Sequence, residues 1–135
     1  MTFFLKIQTK KKLELLNLTS AIQEIVDKSK VKDGICFIFL LHSSAGLLIN
    51  EDEEGLKKDW FLFFENISSK INFFHNLIDN NALAHLISGI LGQSRFIFIK
   101  DGKLLLGRWQ QIFLVEADGP REREIAVKII KTQNS

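Results

Sequence analysis

The pattern of apolar and polar positions changes twice along this chain and divides it into three parts. In the first fifty residues, alternating or continuous apolar runs predict strands, and Ile22, Ile25 and Val26 share one face of a helix between them. From Glu53 to Ile71 the apolar residues recur at helical spacing. After a looser segment over 72–81 and a short helix over 82–91, the chain returns to strands. The predicted strands are 2–9, 13–18, 35–41, 46–50, 95–99, 104–106, 108–117 and 124–131.

Residues typical of helix ends support this division. Thr19 or Ser20 has the position of an N-terminal cap for the first helix, and Gly34 lies past its end. The acidic run 51–54 suits the positive end of the second helix, and Gly92 follows the third. The apolar stripe of the second helix is predicted to face the core, and its members are Leu56, Trp60, Phe63, Phe64, Ile67 and Ile71.

Helices in the middle of the chain and strands towards its ends predict an α+β fold. The expected architecture is a largely antiparallel β-sheet or sandwich with about three helices inserted mid-chain. Asp-Gly pairs at 101–102 and 118–119, between apolar runs, indicate antiparallel hairpins. With 135 residues, the chain has the size of one domain, 1–135.

Composition narrows the class of protein and of partner. Twelve Phe, two Trp and no Tyr predict an apolar interior, and Cys36, the single cysteine, is interpreted as a structural core residue. The first residues lack the pattern of a signal peptide and no apolar run reaches the roughly 18 residues of a membrane span, so we expect a cytoplasmic protein without membrane contact. The net charge is +2, and the lysine run 10–12 is more typical of a solvated turn than of a nucleic-acid site.

The stretch 42–51 places polar groups directly after an apolar strand. His42, Ser43 and Ser44 follow that strand, and Asn50 and Glu51 close the stretch. Rigid scaffolds often carry functional groups where strands meet loops. In the structural alternative, the serines form a turn, and Asn50 and Glu51 cap the following helix. The stretch alone does not decide between a functional and a structural role.

Three histidines lie in apolar surroundings, at positions 42, 75 and 85. Neutral imidazole is a common metal ligand, and three protein ligands with an open position are typical of catalytic zinc. Their spacing matches no short metal motif. For each of the three histidines, the competing interpretation is a core residue whose ring nitrogens are hydrogen-bonded within the protein.

Two further clusters lie beside predicted strands. Trp109 and Gln110 are interpreted either as part of a site or, in the structural alternative, as a core tryptophan beside an exposed amide. Glu116 and Asp118 fall on one face of a strand, and Arg121 could pair with them or bind an anion. A charged hairpin end with an ion pair is the structural alternative.

Four blocks occur in a distinctive order over nearly the whole chain. They are His-Ser-Ser-Ala-Gly-Leu-Leu-Ile-Asn-Glu (42–51), Asn81-x-x-Ala84-His85-Leu86, Gly102-x-x-x-Leu106-Gly107-x-Trp109-Gln110-x-Ile112 and Glu116-x-Asp118-Gly119-Pro120-Arg121-x-Arg123. Together they resemble the YjbQ-type family, described as secondary thiamine-phosphate synthases.

The resemblance implies an α+β fold that assembles as a homotrimer, with a polar pocket near the subunit boundaries. It implies that His42, His75 and His85 are the characteristic histidines of the family, and we expect them to hold one divalent metal ion, with zinc favoured by the ligand type. Other signature positions are expected to serve catalysis (Ser44, Glu51 and Glu116) or substrate binding (Asn50, Asn81, Trp109 and Arg121).

The implied activity is a metal-assisted coupling of a hydroxymethylpyrimidine diphosphate to a thiazole phosphate, which releases pyrophosphate and is secondary in the family. A non-catalytic trimer that binds a metal ion or a small anion is the alternative. The chain departs from the family pattern at Ser43, at Arg108 and at Ile87, where the family usually has threonine, threonine and a basic residue. If that basic residue holds a phosphate, its role is missing here or has moved to Arg108 or Arg121.

Overall fold

Two antiparallel sheets form the framework of the chain in the computed structural model, which describes residues 1–132. The larger sheet has the strand order β1 (Thr2–Gln8), β8 (Glu122–Lys131), β3 (Asp33–Leu40), β5 (Ser94–Lys100), β6 (Lys103–Leu104). The smaller sheet has the order β2 (Glu14–Asn17), β7 (Gln111–Glu116), β4 (Ala45–Asn50). The helices are α1 (Thr19–Ser29), α2 (Glu54–Ser68), a short 3₁₀-helix (Phe74–Leu77) and α3 (Ala82–Leu91). The predicted α+β fold is confirmed.

The main core lies between the two sheets. The pleat of β3 turns Cys36, Ile38 and Leu40 inward, where they are buried, and leaves Phe37 and Phe39 on the outer face. The smaller sheet and α1 fill the other side of this core with Leu47, Ile112, Leu114, Ile22 and Val26. The burial predicted for Cys36 is confirmed, and it raises the pKa of the thiol to about 11.

A second core covers the other face of the smaller sheet. Leu48, Phe113 and Val115 lie on that face and pack against Phe64 of α2 and Ile87 of α3. Because β7 is covered on both faces, its side chains are buried without alternation. Ile87, which stands at a basic position of the family pattern, is therefore a core residue in this chain.

The first helix begins and ends differently from the prediction. Neither Thr19 nor Ser20 is its cap; instead, the side-chain oxygen of Asn17 accepts from the Thr19 N–H at 2.9 Å. Lys30 ends the helix in the left-handed region, with φ of 63°. Gly34 lies within β3, where a Cβ would approach the Ile130 carbonyl oxygen to 2.2 Å, so close contact with β8 explains the glycine.

The acidic start predicted for α2 is confirmed, but the apolar stripe is only half buried. The Glu53 carboxylate accepts from the N–H groups of the first turn. Phe64 is buried, whereas Phe63 and Ile67 are 54% and 58% exposed, so the helix buries a narrower stripe than the spacing predicts. Within residues 1–132 no helix, α2 included, has the length and apolar character needed to cross a membrane.

The predicted strand 108–117 begins three residues late, at Gln111. Residues 107–110 form a turn in which the Gln110 N–H donates to the Gly107 carbonyl at 3.0 Å. Trp109 is consequently 63% exposed, and its interpretation as a core residue is wrong.

Candidate functional site

His42 completes the ladder between β3 and β8 with its side chain. The Leu41 N–H donates to the Glu124 carbonyl at 3.1 Å, and the Glu124 N–H donates back to His42 Nε2 at 2.8 Å. The imidazole thus stands where a backbone carbonyl would accept in a regular antiparallel pair. Burial, and then the positive charge of Arg123, lower the pKa of His42, which favours a neutral ring.

The serines after His42 are held by two side chains from distant parts of the chain. Arg123 Nη2 donates to the carbonyl oxygen and to the hydroxyl of Ser44, both at 3.1 Å. His85 Nδ1 lies 2.7 Å from the Ser43 carbonyl oxygen and donates to it. Since its proton is on Nδ1, neutral His85 keeps a free lone pair on Nε2.

Glu116 and Arg123 form a buried ion pair beneath this loop. Arg123 Nε donates to Glu116 Oε1 at 2.8 Å and Nη2 to Oε2 at 2.5 Å. Thr9 Oγ1 and the N–H groups of Ala117 and Asp118 also donate to the carboxylate. Burial by itself raises the pKa of Glu116, but these hydrogen bonds outweigh it and leave the pKa below its usual value.

Five donors therefore surround the Glu116 carboxylate. Glu116 is expected from the sequence to serve catalysis, and the geometry favours an orienting role for it over that of a general base. A carboxylate with its lone pairs occupied and its pKa lowered is a poor acceptor for a substrate proton.

A line of hydrogen bonds joins His75 to Arg121. His75 Nε2 lies 2.8 Å from Asn81 Oδ1, Asn81 Nδ2 donates to Asp118 Oδ2 at 2.8 Å, and Arg121 Nη2 donates to the same oxygen at 3.0 Å. Because Asp118 only accepts, the amide of Asn81 must present its oxygen to His75, so His75 carries its proton on Nε2. The ion pair that was the structural alternative for Arg121 is present, with Asp118 as its partner.

The two histidines at the ends of these networks meet each other. The ring centroids of His75 and His85 lie 4.9 Å apart at an interplanar angle of 83°. The loop 42–44, the α3 start and the β7–β8 turn are thus linked through His75 and His85. The sequence-predicted residues brought together here are His42, Ser44, His75, Asn81, His85, Glu116 and Arg121.

Two depressions flank this cluster. The first is a polar cavity of about 620 Å³, lined by Leu41, His42, Ser43, Ser44, Arg121, Glu122 and Arg123. The second, of about 320 Å³, is apolar and is lined by Phe73, Phe74, His75, Ala82, His85 and Leu86. The polar cavity therefore offers cationic donors, and the apolar depression offers aromatic side chains.

The three histidines do not form a common metal centre within one chain. The residues from 1 to 132 contain no group of three or more His, Cys, Asp or Glu side chains placed to hold a metal ion. His42 is excluded from such a group by its bond to the Glu124 N–H, whereas His75 and His85 each keep one unprotonated ring nitrogen. A three-histidine centre does not fit this donor set, and the pair His75 and His85 remains as candidate ligands.

Asn50, Glu51 and Trp109 lie away from this cluster. Asn50 pairs with Gln111 at one end of the β4–β7 ladder, while Ala45 pairs with Glu116 at the other. Five residues of extended strand separate these ends by about 17 Å. Asn50 Oδ1 accepts from the Glu51 N–H, and Trp109 stacks under the Arg108 guanidinium at 4.9 Å from the ring centroid.

Arg123 and Asp118 are functional candidates that reasoning from the sequence did not select. Arg123 carried a signal, because it precedes Ile125, Val127 and Ile129 at period two and so belongs to the inward face of β8. Asp118 was considered only as a partner for Arg121. Thr9, which binds Glu116 from the end of β1, carried no signal of this kind.

Comparisons with known proteins agree with this architecture. The family model described as UPF0047 protein YjbQ-like matches residues 4–132. UPF0047 protein MJ1081 of Methanocaldococcus jannaschii is 46% identical over 96% of this chain and 94% of its own length. UPF0047 protein YugU of Bacillus subtilis is 30% identical, over 93% of this chain and 96% of its own.

Solved structures show the same fold. A YbjQ-like protein of unknown function from Sulfolobus solfataricus P2 superposes with a TM-score of 0.93 at 42% identity, covering 98% of this chain and 97% of its own. A hypothetical protein from Aeropyrum pernix K1 gives a TM-score of 0.92 at 33% identity, covering 98% and 99%. The chain belongs to the YjbQ-like UPF0047 family.

Proposed function

We propose that this chain is an enzyme that acts on a small phosphorylated heterocycle at the cluster between the two depressions. The observation that carries the proposal is the linked network of His75, Asn81, Asp118 and Arg121, which connects an oriented imidazole at the apolar depression to a guanidinium at the polar cavity. Groups fixed in this way are what general acid–base catalysis requires. A protein that only needed to be stable would gain little from ordering these polar side chains at its surface.

The two depressions suit the two parts of such a substrate. Arg121 and Arg123 line the polar cavity, where guanidinium groups bind phosphoryl oxygens well. Phe73 and Phe74 line the apolar depression beside the histidines, where a flat heteroaromatic ring would find apolar area and ring edges. The substrate would lie across the cluster with its charged end against the arginines.

The reaction that the resemblance implies matches this division. In it, the thiazole nitrogen attacks the methylene carbon of the pyrimidine, a C–N bond forms, the C–O bond to the diphosphate breaks, and pyrophosphate leaves with the electron pair. Negative charge grows on the leaving group, so preorganised donors around it would lower the barrier. Arg123, fixed by Glu116 and Ser44, is a donor of this kind at the polar cavity, and Arg121 and the hydroxyl of Ser43 add flexible donors beside it.

Within residues 1–132, His75 and His85 supply two candidate metal ligands. The steps above depend on the donors of the protein itself. Zinc binding by these two histidines is a prediction that elemental analysis tests.

We also propose that the chain assembles as a homotrimer through the outer face of the larger sheet. The outer face of an antiparallel sheet is usually polar. Here it carries exposed aromatic and aliphatic side chains from neighbouring strands, namely Phe4, Phe37, Phe39, Phe96, Phe98 and Ile130. Exposed apolar patches of this kind mark protein interfaces, and identical copies are the partners that the resemblance implies.

The proposed activity is tested with the pyrimidine diphosphate and the thiazole phosphate as substrates and pyrophosphate release as the readout. We expect turnover by the wild type and a loss of at least about tenfold in kcat for Asn81→Ala and His85→Ala, since these residues orient the cluster. Lys28→Gln, a substitution on the exposed face of α1, is the control and should retain full activity. Full turnover by both folded variants would contradict the proposal, and phosphate binding without turnover would favour the non-catalytic module.

A further inference from the structure

The hydrogen bond between the Glu124 N–H and His42 Nε2 determines which proton the His42 ring carries. A backbone N–H can only donate, so Nε2 must hold a lone pair at that contact, 2.8 Å long. A neutral imidazole that accepts at Nε2 is protonated at Nδ1. His42 is therefore a donor at its second ring nitrogen, the opposite of what a metal ligand needs.

That donor belongs to the polar cavity. His42 lines the cavity, and Nδ1 has no hydrogen-bond partner among residues 1–132. The nitrogen that remains for a ligand in the cavity is thus an N–H group. Because the ladder of β3 and β8 holds the ring, this donor is oriented before a ligand arrives.

Arg123 gives the cavity a fixed guanidinium donor whose charge is balanced by Glu116. Its side chain is only 2% exposed and its Nε and Nη2 are bound to Glu116 and Ser44, while Nη1 has no partner within residues 1–132. Nη1 is also not among the fully enclosed unpaired atoms of those residues, so it reaches the accessible surface. A guanidinium that is fixed by hydrogen bonds and keeps the Nη1 group unpaired is well suited to bind an anion.

Two flexible donors complete the lining. The Ser43 hydroxyl is free of partners within the described part of the chain, and Arg121 uses Nε and Nη2 on Asp118 but not Nη1. Glu122 also lines the cavity, but its side chain is exposed and its charge is screened by solvent. The fixed groups of the cavity are donors.

We infer that this cavity is a phosphate subsite in which His42 is a fixed Nδ1–H donor to a phosphoryl oxygen. The identity of the molecule that carries the phosphate rests on the proposed function. The protonation of His42 and the binding of phosphate do not depend on it. Its ligand class is a phosphate monoester or the end of a diphosphate, and inorganic phosphate and pyrophosphate are the probes.

The first test determines directly which nitrogen of the His42 ring carries the proton. In the full chain with ¹⁵N-labelled histidine, we expect the two-bond ¹H–¹⁵N spectrum of His42 to show a proton on Nδ1, and pyrophosphate to shift that nitrogen. A ring protonated on Nε2 would overturn the inference. This measurement needs no variant, so it stands even if substitutions at position 42 fold poorly.

The second test uses two variants that keep different halves of the imidazole. Asn places its amide near Nδ1 and can keep the donor, while Gln reaches the position of Nε2 and can keep only the contact with Glu124. We expect calorimetric affinity for pyrophosphate to stay within about threefold in His42→Asn and to fall at least about tenfold in His42→Gln. Lys28→Gln, which removes a positive charge on α1, should leave the affinity unchanged.

The outcomes separate the inference from the proposed function. Equal losses in both variants, or no loss in His42→Gln, would overturn the donor role. If the ring is protonated on Nδ1 and pyrophosphate binds as described, but no turnover is found, the subsite stands and the proposed reaction fails.

Discussion

Glu116 and Arg123 join the two sheets of this protein through a buried ion pair, with Arg123 Nε 2.8 Å from Glu116 Oε1. Glu116 is the last residue of β7 in the smaller sheet, and Arg123 is the second residue of β8 in the larger one. The same guanidinium holds Ser44, and the same carboxylate holds the Asp118 N–H. The pair therefore supports both the packing of the sheets and the loop that carries His42.

Glu116→Gln should destabilise the protein by about 3–5 kcal/mol, because it leaves the Arg123 charge buried without a counter-charge. Urea unfolding measures the change. The double replacement Glu116→Met with Arg123→Met should cost less than the sum of the two single changes, since neither charge remains. Glu24→Gln, which breaks an exposed pair with Lys28, should change stability by no more than about 0.5 kcal/mol.

The same carboxylate predicts a loss of stability in acid. Its pKa is lower in the folded chain than the ordinary 4.5, so the unfolded chain takes up the proton first as the pH falls. The contribution of Glu116 is complete above that ordinary value and is lost as the pH drops through the lower, folded pKa. Unfolding free energies measured from pH 6 down to about pH 3 should fall less steeply in Glu116→Gln than in the wild type.

Asp52 provides the comparison for this experiment. The hydrogen bonds from Lys57 and Asn17 also lower its pKa, but its side chain is solvent-accessible. Asp52→Asn should therefore alter the pH dependence less than Glu116→Gln does. Equal slopes for the wild type and Glu116→Gln would contradict the role assigned to the buried pair.

The zinc content of the protein should depend on His75 and His85 and not on His42. Those two rings meet and keep free lone pairs on Nδ1 and Nε2, respectively, whereas His42 Nε2 is bound to the Glu124 N–H. Elemental analysis after zinc loading should show zinc in the wild type and in His42→Ala, and a loss in His75→Ala and His85→Ala. Loss in His42→Ala, with its fold intact, would support a three-histidine centre; a wild type that takes up no zinc would refute the metal prediction.

The phenylalanine face of the larger sheet should control assembly. Phe37 and Phe96 face each other across β3 and β5 with ring centroids 6.3 Å apart, and both are exposed. Phe96→Glu places a charge in the middle of this face and should convert a trimer to smaller species, as measured by light scattering after size-exclusion chromatography. Phe63→Glu, on the similarly exposed side of α2, is the matched control and should leave the trimer intact. A monomeric wild type would refute the proposed assembly.

Local patterns were sufficient for most of the secondary structure. Period-two alternation placed β3 with Cys36 inward, and the acidic run at 51–54 marked the start of α2. The errors occurred where a local pattern competes with contacts from elsewhere. Asn17 displaced the expected caps of α1, and Phe63 stayed exposed because no element within residues 1–132 covers that side of α2.

The candidate site divides in the same way. The four family blocks contain the residues of the site apart from His75, but they also include Asn50, Glu51 and Trp109, which lie toward the opposite end of the β4–β7 ladder from Glu116. Register depends on long-range pairing, and motif order along the chain does not reveal it.

The sequence by itself determined the fold class, the burial of Cys36 and the set of polar residues from which a site could be built, because periodicity and residue type are local properties. Only the tertiary structure decided which of these residues meet and in what state. The proton position on His42 depends on an N–H group 82 residues further along the chain. The charge of Arg123 can be buried only because Glu116 lies beside it in the core. Such contacts arise when distant strands pair and the two sheets pack, so no stretch of the sequence contains them.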